Sequence, residues 1–167
     1  QIYYVESGGQ VSPSVFSARL GAALDTCTHT LPPRTLTFEE QAAVLHFRQD
    51  AEWRDDAAMR CSAESTAWSI AVEQHLAFQP TCVHRCVRVY SVSDLTALAD
   101  VLSPHRAVLA AVGLAVGAVR RHNIAEMLVR CGVHRVCAVG MMQHPPLSWQ
   151  HGGRPRLADW VEWSGWD

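Results

Sequence analysis

The hydrophobic pattern switches repeatedly between a period of about two and a period of about 3.6, and each switch marks an element. Ile2 to Val5 is a short β-type run closed by Gly8 and Gly9, which predicts a strand and an immediate turn. Ser12 and Pro13 supply an N-cap and a proline at the first helical position, and Val15, Phe16, Leu20 and Leu24 carry an apolar stripe to about Leu24. Thr37 and Glu40 form a capping-box pattern that opens a second helix, continued by Ala43, Val44 and Phe47 toward Met59. Trp68 to Val72 alternates with period two and Arg85 to Val92 does so less cleanly; each predicts a strand.

Ser93 or Asp94 caps a short helix through Leu102, stopped by Ser103 and Pro104. The run from Ala107 to Val112 is apolar at every position, as in a strand covered on both faces. A helix from about Val119 to Arg130 follows, with Cys131 and Gly132 as its stop, and then a strand over Arg135 to Gly140. A Pro/Gly/His loop, Met141 to Gly153, leads to a terminal amphipathic segment, Leu157 to Trp163. Alternation without repeat or obvious linker predicts an α/β fold over 1–167 as a single unit, a largely parallel sheet with flanking helices. The loop after the last strand lies where an open α/β sheet usually places its ligand.

With 167 residues, 49% of them hydrophobic, the chain is long enough for a core and too apolar for disorder. A net charge of −2 gives no reason to expect nucleic acid as a partner. All 14 basic residues are Arg, which removes any chemistry that needs a lysine of this chain. The longest apolar run, Ala107 to Val119, is 13 residues with two glycines and too short to span a bilayer, so a cytoplasmic protein is expected. Six cysteines without a signal-peptide pattern are expected as reduced thiols. Gly113 and Gly117 lack the Gly-x-Gly-x-x-Gly arrangement of a dinucleotide loop and are assigned to close packing and strand termination.

Several residues offer chemistry. Cys82, His84 and Cys86 fall on one face of a strand, a weak zinc pattern; Cys131, His134 and Cys137 are a second, split between elements. Arg85 is suited to a phosphate or carboxylate, with an ion pair as the alternative. His144 and His151 are candidates for proton transfer, or for backbone hydrogen bonds of a loop. Trp149, Trp160, Trp163 and Trp166 concentrate aromatic surface for an acyl wall, a subunit contact or packing of the tail.

Val136 to Gly140, Met142-Gln-His-Pro-Pro146, Trp149-Gln-His151-Gly-Gly153 and Leu157 to Trp163, in this order, resemble the carboxyl-terminal signature of the LuxC-type fatty acyl-CoA reductases, a branch of the aldehyde dehydrogenase superfamily. Arg85 to Val89, Asp94-Leu95 and Ala111 to Leu114 follow that family's order, and Gln1 to Glu6 with Gly8, Gly9, Ser12 and Pro13 resembles the stretch just after its nucleophilic cysteine. The resemblance implies the second half of a catalytic domain, with NADPH bound mainly by an amino-terminal part outside this chain. It also implies a cysteine thioester formed upstream of Gln1, acyl-CoA or an acyl carrier as substrate, and a partner chain bearing the amino-terminal half. The expected state is then an oligomer that is inactive without that partner. Arg85, His144, Trp149 and His151 would belong to the pocket or its closing loop. Relatives outside this branch hold the nicotinamide ribose with a glutamate near the start of the segment matching Phe78 to Val89. No carboxylate lies between Phe78 and Arg85, and Glu73, the nearest, is as readily a solvated or ion-paired strand residue. The loop departs from the family at Gly152, where an acidic residue is usual. A non-catalytic binding or scaffold subunit of the same fold, and a zinc-binding module, stay open beside the reductase.

Overall fold

The computed structural model describes residues 1–63, 65–82, 84–154, 160, 162, 164 and 165. The fold is α/β, and the chain divides into two compact units, Gln1–Ala97 and Leu98–Asp167, although its composition shows no linker between them.

In the first unit the elements run β1 (Ile2–Glu6), α1 (Pro13–Thr30), α2 (Phe38–Glu52), β2 (Ala57–Cys61), β3 (Ser69–Glu73) and β4 (Cys86–Val92), closed by a 3-10 turn at Leu95–Ala97. The sheet order is β1-β4-β3-β2; β1, β4 and β3 are parallel and only β2, at the edge, is antiparallel. The largely parallel sheet expected from the alternation is therefore present, with an antiparallel edge of the kind mixed sheets carry. Alternation in β3 and β4 sends Ile70, Val72, Val87 and Val89 to one face, where Trp68 and residues Phe16, Leu20 and Leu24 of α1 cover them. Ala71 and Cys86 point to the other face, against Val44, Phe47 and Ala51 of α2. Two helices on opposite faces explain why β3 and β4 are buried along almost their whole length.

Local chemistry fixes the helix starts. Ser12 accepts from the Val15 amide with Pro13 in the first turn, and Thr37 and Glu40 form a complete capping box. Glu40 also takes a bidentate contact from Arg34, and with the Thr37 amide this holds its carboxyl down, at about 2 against an ordinary 4.5. A depressed carboxylate stabilises the fold above its unfolded value and loses that contribution as pH falls through the folded one. Acid titration of wild type against Glu40→Gln is accordingly expected to show a stability difference that is full above pH 4.5 and vanishes toward pH 2; equal curves over that range would disprove it.

Two elements depart from the sequence pattern here. The helix expected to run toward Met59 stops at Glu52, and Ala57–Cys61 pairs instead with β3 as β2. Arg54 and Asp56, which pair side chain to side chain, turn the chain, and the neighbouring strand then sets the conformation of a segment with little β-propensity of its own. Helix α1 runs to Thr30 rather than about Leu24, with the Thr26 and Thr28 hydroxyls donating back to the carbonyls of Ala22 and Leu24.

The second unit holds α3 (Leu98–Leu102), a 3-10 segment Ser103–Val108, β5 (Ala111–Leu114), α4 (Ala118–Arg130), β6 (Arg135–Ala138) and a 3-10 turn His151–Gly153. β5 and β6 pair in parallel, joined by α4 as the crossover. The strand expected at Ala107 to Val112 begins only at Ala111, because Pro104 starts a 3-10 turn that continues through Val108, and Ala111 to Gly113 are half-buried rather than covered on both faces. Gly113 does serve close packing: a Cβ there would lie 3.2 Å from the Val139 Cα. Gly117 has nothing within 4 Å and serves as the N-cap position of α4. Among the described residues no helix is long and apolar enough to cross a membrane. The terminal segment Leu157 to Trp163 lies outside the described residues apart from Trp160 and Glu162, as do Trp163 and Trp166 of the aromatic group; Trp160 is exposed.

Candidate functional site

The face of the first sheet that α2 covers carries the buried charge of the described residues. Alternation places Glu73 of β3 and Arg88 and Tyr90 of β4 on that face, and the register sets Glu73 opposite Tyr90 and Tyr90 opposite Tyr4 of β1. Glu73, 1% exposed, accepts from the Arg88 guanidinium on one oxygen and from Arg54 Nη1 on the other at 3.0 Å. Arg54 also grips Asp56 through two 3.0 Å hydrogen bonds. The Arg88 guanidinium carbon lies 5.0 Å above the Phe47 ring, so the cation has a carboxylate at its edge and an aromatic face beneath it. Tyr4 and Tyr90 stack at 5.5 Å and 19°. Burial, then the Glu73 charge, pushes the Tyr90 phenol up to about 12; burial, then Tyr90, raises that of Tyr4.

This cluster fastens the connection from β3 to β4. Parallel neighbours need a long crossover, usually helical. Here residues 74–82 cross the face as irregular chain, so their backbone polar groups need side-chain partners. Tyr4 donates its hydroxyl to the Ala77 carbonyl at 2.9 Å and Arg88 donates to that of Pro80 at 3.4 Å. Two carboxylates and two guanidiniums balance within the cluster. Glu73 is thus ion-paired, one of the two roles its strand position suggested.

Arg85 is used inside its own unit. It donates to the Thr28 hydroxyl at 3.0 Å and to the Leu31 carbonyl at 2.5 Å, capping the end of α1, and among the described residues it makes no ion pair. Arg85 and His84 both have positive φ, 51° and 64°, a conformation costing about 1–2 kcal/mol for each non-glycine residue. The zinc pattern of Cys82, His84 and Cys86 is not assembled: only Cys86 belongs to the strand, and the left-handed turn carries His84 toward Glu40. Among the described residues no three His, Cys, Asp or Glu side chains gather as metal ligands, those of Cys131, His134 and Cys137 included.

In the second unit Arg135, which the sequence analysis did not single out, organises the loop after β6. Its guanidinium donates to the carbonyls of Met142 and Met141 at 2.9 Å each and of His144 at 3.1 Å, and lies 5.7 Å from the Trp149 ring centre. Trp149 is half-buried, whereas His144 is exposed and fixed through its backbone. His151 opens the 3-10 turn in which Gly152 has φ of 64°, and the Gly153 position faces the His134 ring. Three of the four expected pocket residues, His144, Trp149 and His151, therefore share one loop, while Arg85 belongs to the other unit. An arginine six to nine residues before the carbonyls it binds gives no periodic signal, which is why Arg135 was missed. Arg135→Leu should release the loop, raising chymotryptic cleavage between Met141 and Trp149 about tenfold or more, since hydrogen bonds to a charged group are worth about 1.5–3 kcal/mol each. Unchanged cleavage rates would remove the arginine from this role.

Residues 1–163 match the acyl-CoA reductase (LuxC) family. No curated protein matches the chain.

Proposed function

Because the chain belongs to the LuxC family of acyl-CoA reductases, we propose that it is part of an NADPH-dependent enzyme that reduces an activated fatty acyl group to an aldehyde through a cysteine thioester. The observation that carries this reading is the family match over residues 1–163. The nucleophilic cysteine and most of the cofactor site are then supplied outside these 167 residues, and acyl-CoA or an acyl carrier is the substrate. The environments of this chain's own thiols support a nucleophile elsewhere. Cys86 and Cys131 are buried, and Cys86 is pushed up to about 12 by burial and the Cys82 thiol beside it. Cys137 is half-buried beside the Val112 carbonyl. The raised Cys86 thiol is a poor nucleophile at neutral pH.

NADPH supplies the hydride in this family's chemistry. The carboxylate nearest the segment where the resemblance places a ribose contact is not presented to such a cofactor: Glu73 is 1% exposed and both its oxygens already accept from Arg54 and Arg88. What the chain contributes is support. β4 and β3 form the centre of the sheet, the Tyr4–Arg88–Glu73 cluster fixes the crossover, and Arg135 shapes the loop that bears His144, Trp149 and His151. Trp149 and the exposed Met141, Met142 and Leu147 give that loop an apolar surface suited to an acyl chain or to a partner subunit.

A second reading is a non-catalytic binding subunit of the same fold. It is favoured by Gly152, whose left-handed φ suits glycine and which lacks the carboxylate usual in the family's loop.

Co-expression with a polypeptide carrying the upstream family sequence and its cysteine separates the two. The expected result is a complex by native mass spectrometry, acyl-CoA-dependent oxidation of NADPH, and loss of both acyl transfer and reduction when that cysteine is replaced. A complex that forms but neither acylates nor oxidises NADPH would overturn the reductase in favour of the binding subunit.

A further inference from the structure

Two thiols meet where the crossover turns into β4. Cys86, the first residue of the strand, is 2% exposed and packs against Val44, Phe47, Ala51 and Ala71. Cys82, half-buried, packs on the same cluster, beside Cys86. Between them His84 and Arg85 take left-handed φ and curl the chain back on itself. That curl is held from outside, because Arg85 is anchored on Thr28 and Leu31 at the end of α1. The surrounding fold, rather than the short segment itself, thus keeps the two sulfurs together. The remaining thiols are scattered: Cys27 on α1, Cys61 on β2, Cys131 after α4 and Cys137 on β6.

We propose that Cys82 and Cys86 form a reversible disulfide, with a hydroperoxide as oxidant and a dithiol as reductant. The more accessible Cys82 reacts first: its sulfur attacks the peroxide, the O–O bond breaks, and the products are a sulfenic acid on Cys82 and one molecule of water or alcohol. The Cys86 sulfur then attacks the Cys82 sulfur; the S–O bond breaks, the S–S bond forms, and the Cys86 proton leaves with the hydroxyl as water. Two electrons pass from the two sulfurs to the peroxide, and exchange with a dithiol returns them. Cys86 attacks as the thiolate, which its burial disfavours and the neighbouring Ser69 and Arg48 favour as it forms, so the second step is the slower one. The bond would tie the last part of the crossover to β4, two residues before Arg88, which holds Pro80. This pairing is independent of the reductase reading.

The test uses the purified protein carrying Cys61→Ser, which removes the exposed thiol. After hydrogen peroxide, denaturing alkylation and tryptic digestion without reductant, peptide 61–85 is expected cross-linked to peptide 86–88. Its mass should lie about 2 Da below the sum of the two reduced peptides, and dithiothreitol should restore both. In Cys86→Ala the cross-link should vanish and Cys82 proceed to the sulfinic acid; Cys82→Ser, at a half-buried position, should leave Cys86 fully alkylatable. Two separate, fully alkylated peptides from the oxidised protein would overturn the proposal, as would sulfinic acid on Cys82 while Cys86 is present.

Discussion

Replacing Glu73 by alanine is expected to destabilise the first unit by about 3–5 kcal/mol, the loss that follows when one partner of a buried ion pair is removed. Arg88, whose side chain is 10% exposed, keeps Phe47 and Pro80 but loses the only carboxylate that contacts it among the described residues. Arg54 suffers less, because Asp56 still holds it. The cost is therefore mainly that of an uncompensated guanidinium under α2. Two further variants separate charge from packing. Glu73→Gln preserves volume and one acceptor and should lose less, and Glu73→Leu combined with Arg88→Met should recover most of the stability, because an apolar pair of similar size replaces a buried ion pair at little net cost. Denaturant unfolding followed by circular dichroism measures all three. A Glu73→Ala protein within about 1 kcal/mol of wild type would show that the pair carries little of this unit's stability.

The largest backbone effect is expected at Gly132, where alanine should cost about 3 kcal/mol or more. This residue follows α4 with φ of 108°, a region L side chains rarely adopt. Its Cβ would lie 2.7 Å from the Arg106 Cβ, 3.1 Å from its Cα and 3.2 Å from its carbonyl oxygen, and the last two are backbone that cannot swing aside. The turn matters because Gly132 and Val133 donate to the Val129 and Leu128 carbonyls, ending α4 and delivering Val133, 2% exposed, into the interior. Gly117→Ala is the control. With φ of −57° and nothing within 4 Å it meets no clash, and as the N-cap of α4, where alanine caps less well than glycine, it should cost no more than about 1 kcal/mol. Thermal unfolding of the two variants side by side decides the matter; equal midpoints would contradict the steric account.

How much of this was legible beforehand divides by the range of the interaction that decides it. Helix starts at Ser12-Pro13 and Thr37–Glu40 were legible because the capping side chain and the amide it accepts from lie three residues apart. The alternation in β3 and β4 was legible because burial under two helices demands it. β2 was not, since Ala57 to Cys61 is held as a strand by pairing with β3 rather than by propensity. The same boundary runs through the candidate site. The sequence placed His144, Trp149 and His151 on one loop and offered ion pairing as a role for Glu73. It could not show that Arg135 gathers three carbonyls, that Arg85 closes a helix 54 residues earlier in the chain, or that Arg54 and Arg88 converge on Glu73.

By itself, then, the sequence determined the α/β class, the helix caps and the family resemblance, all of which depend on residues close together or on their linear order. Only the tertiary structure decided which strand became the antiparallel edge, which arginines neutralise the buried carboxylate, and which cysteines share a turn. Those outcomes depend on side chains brought together across the sheet, and identical arginines or cysteines in a sequence carry no mark of which partner the fold will bring to them.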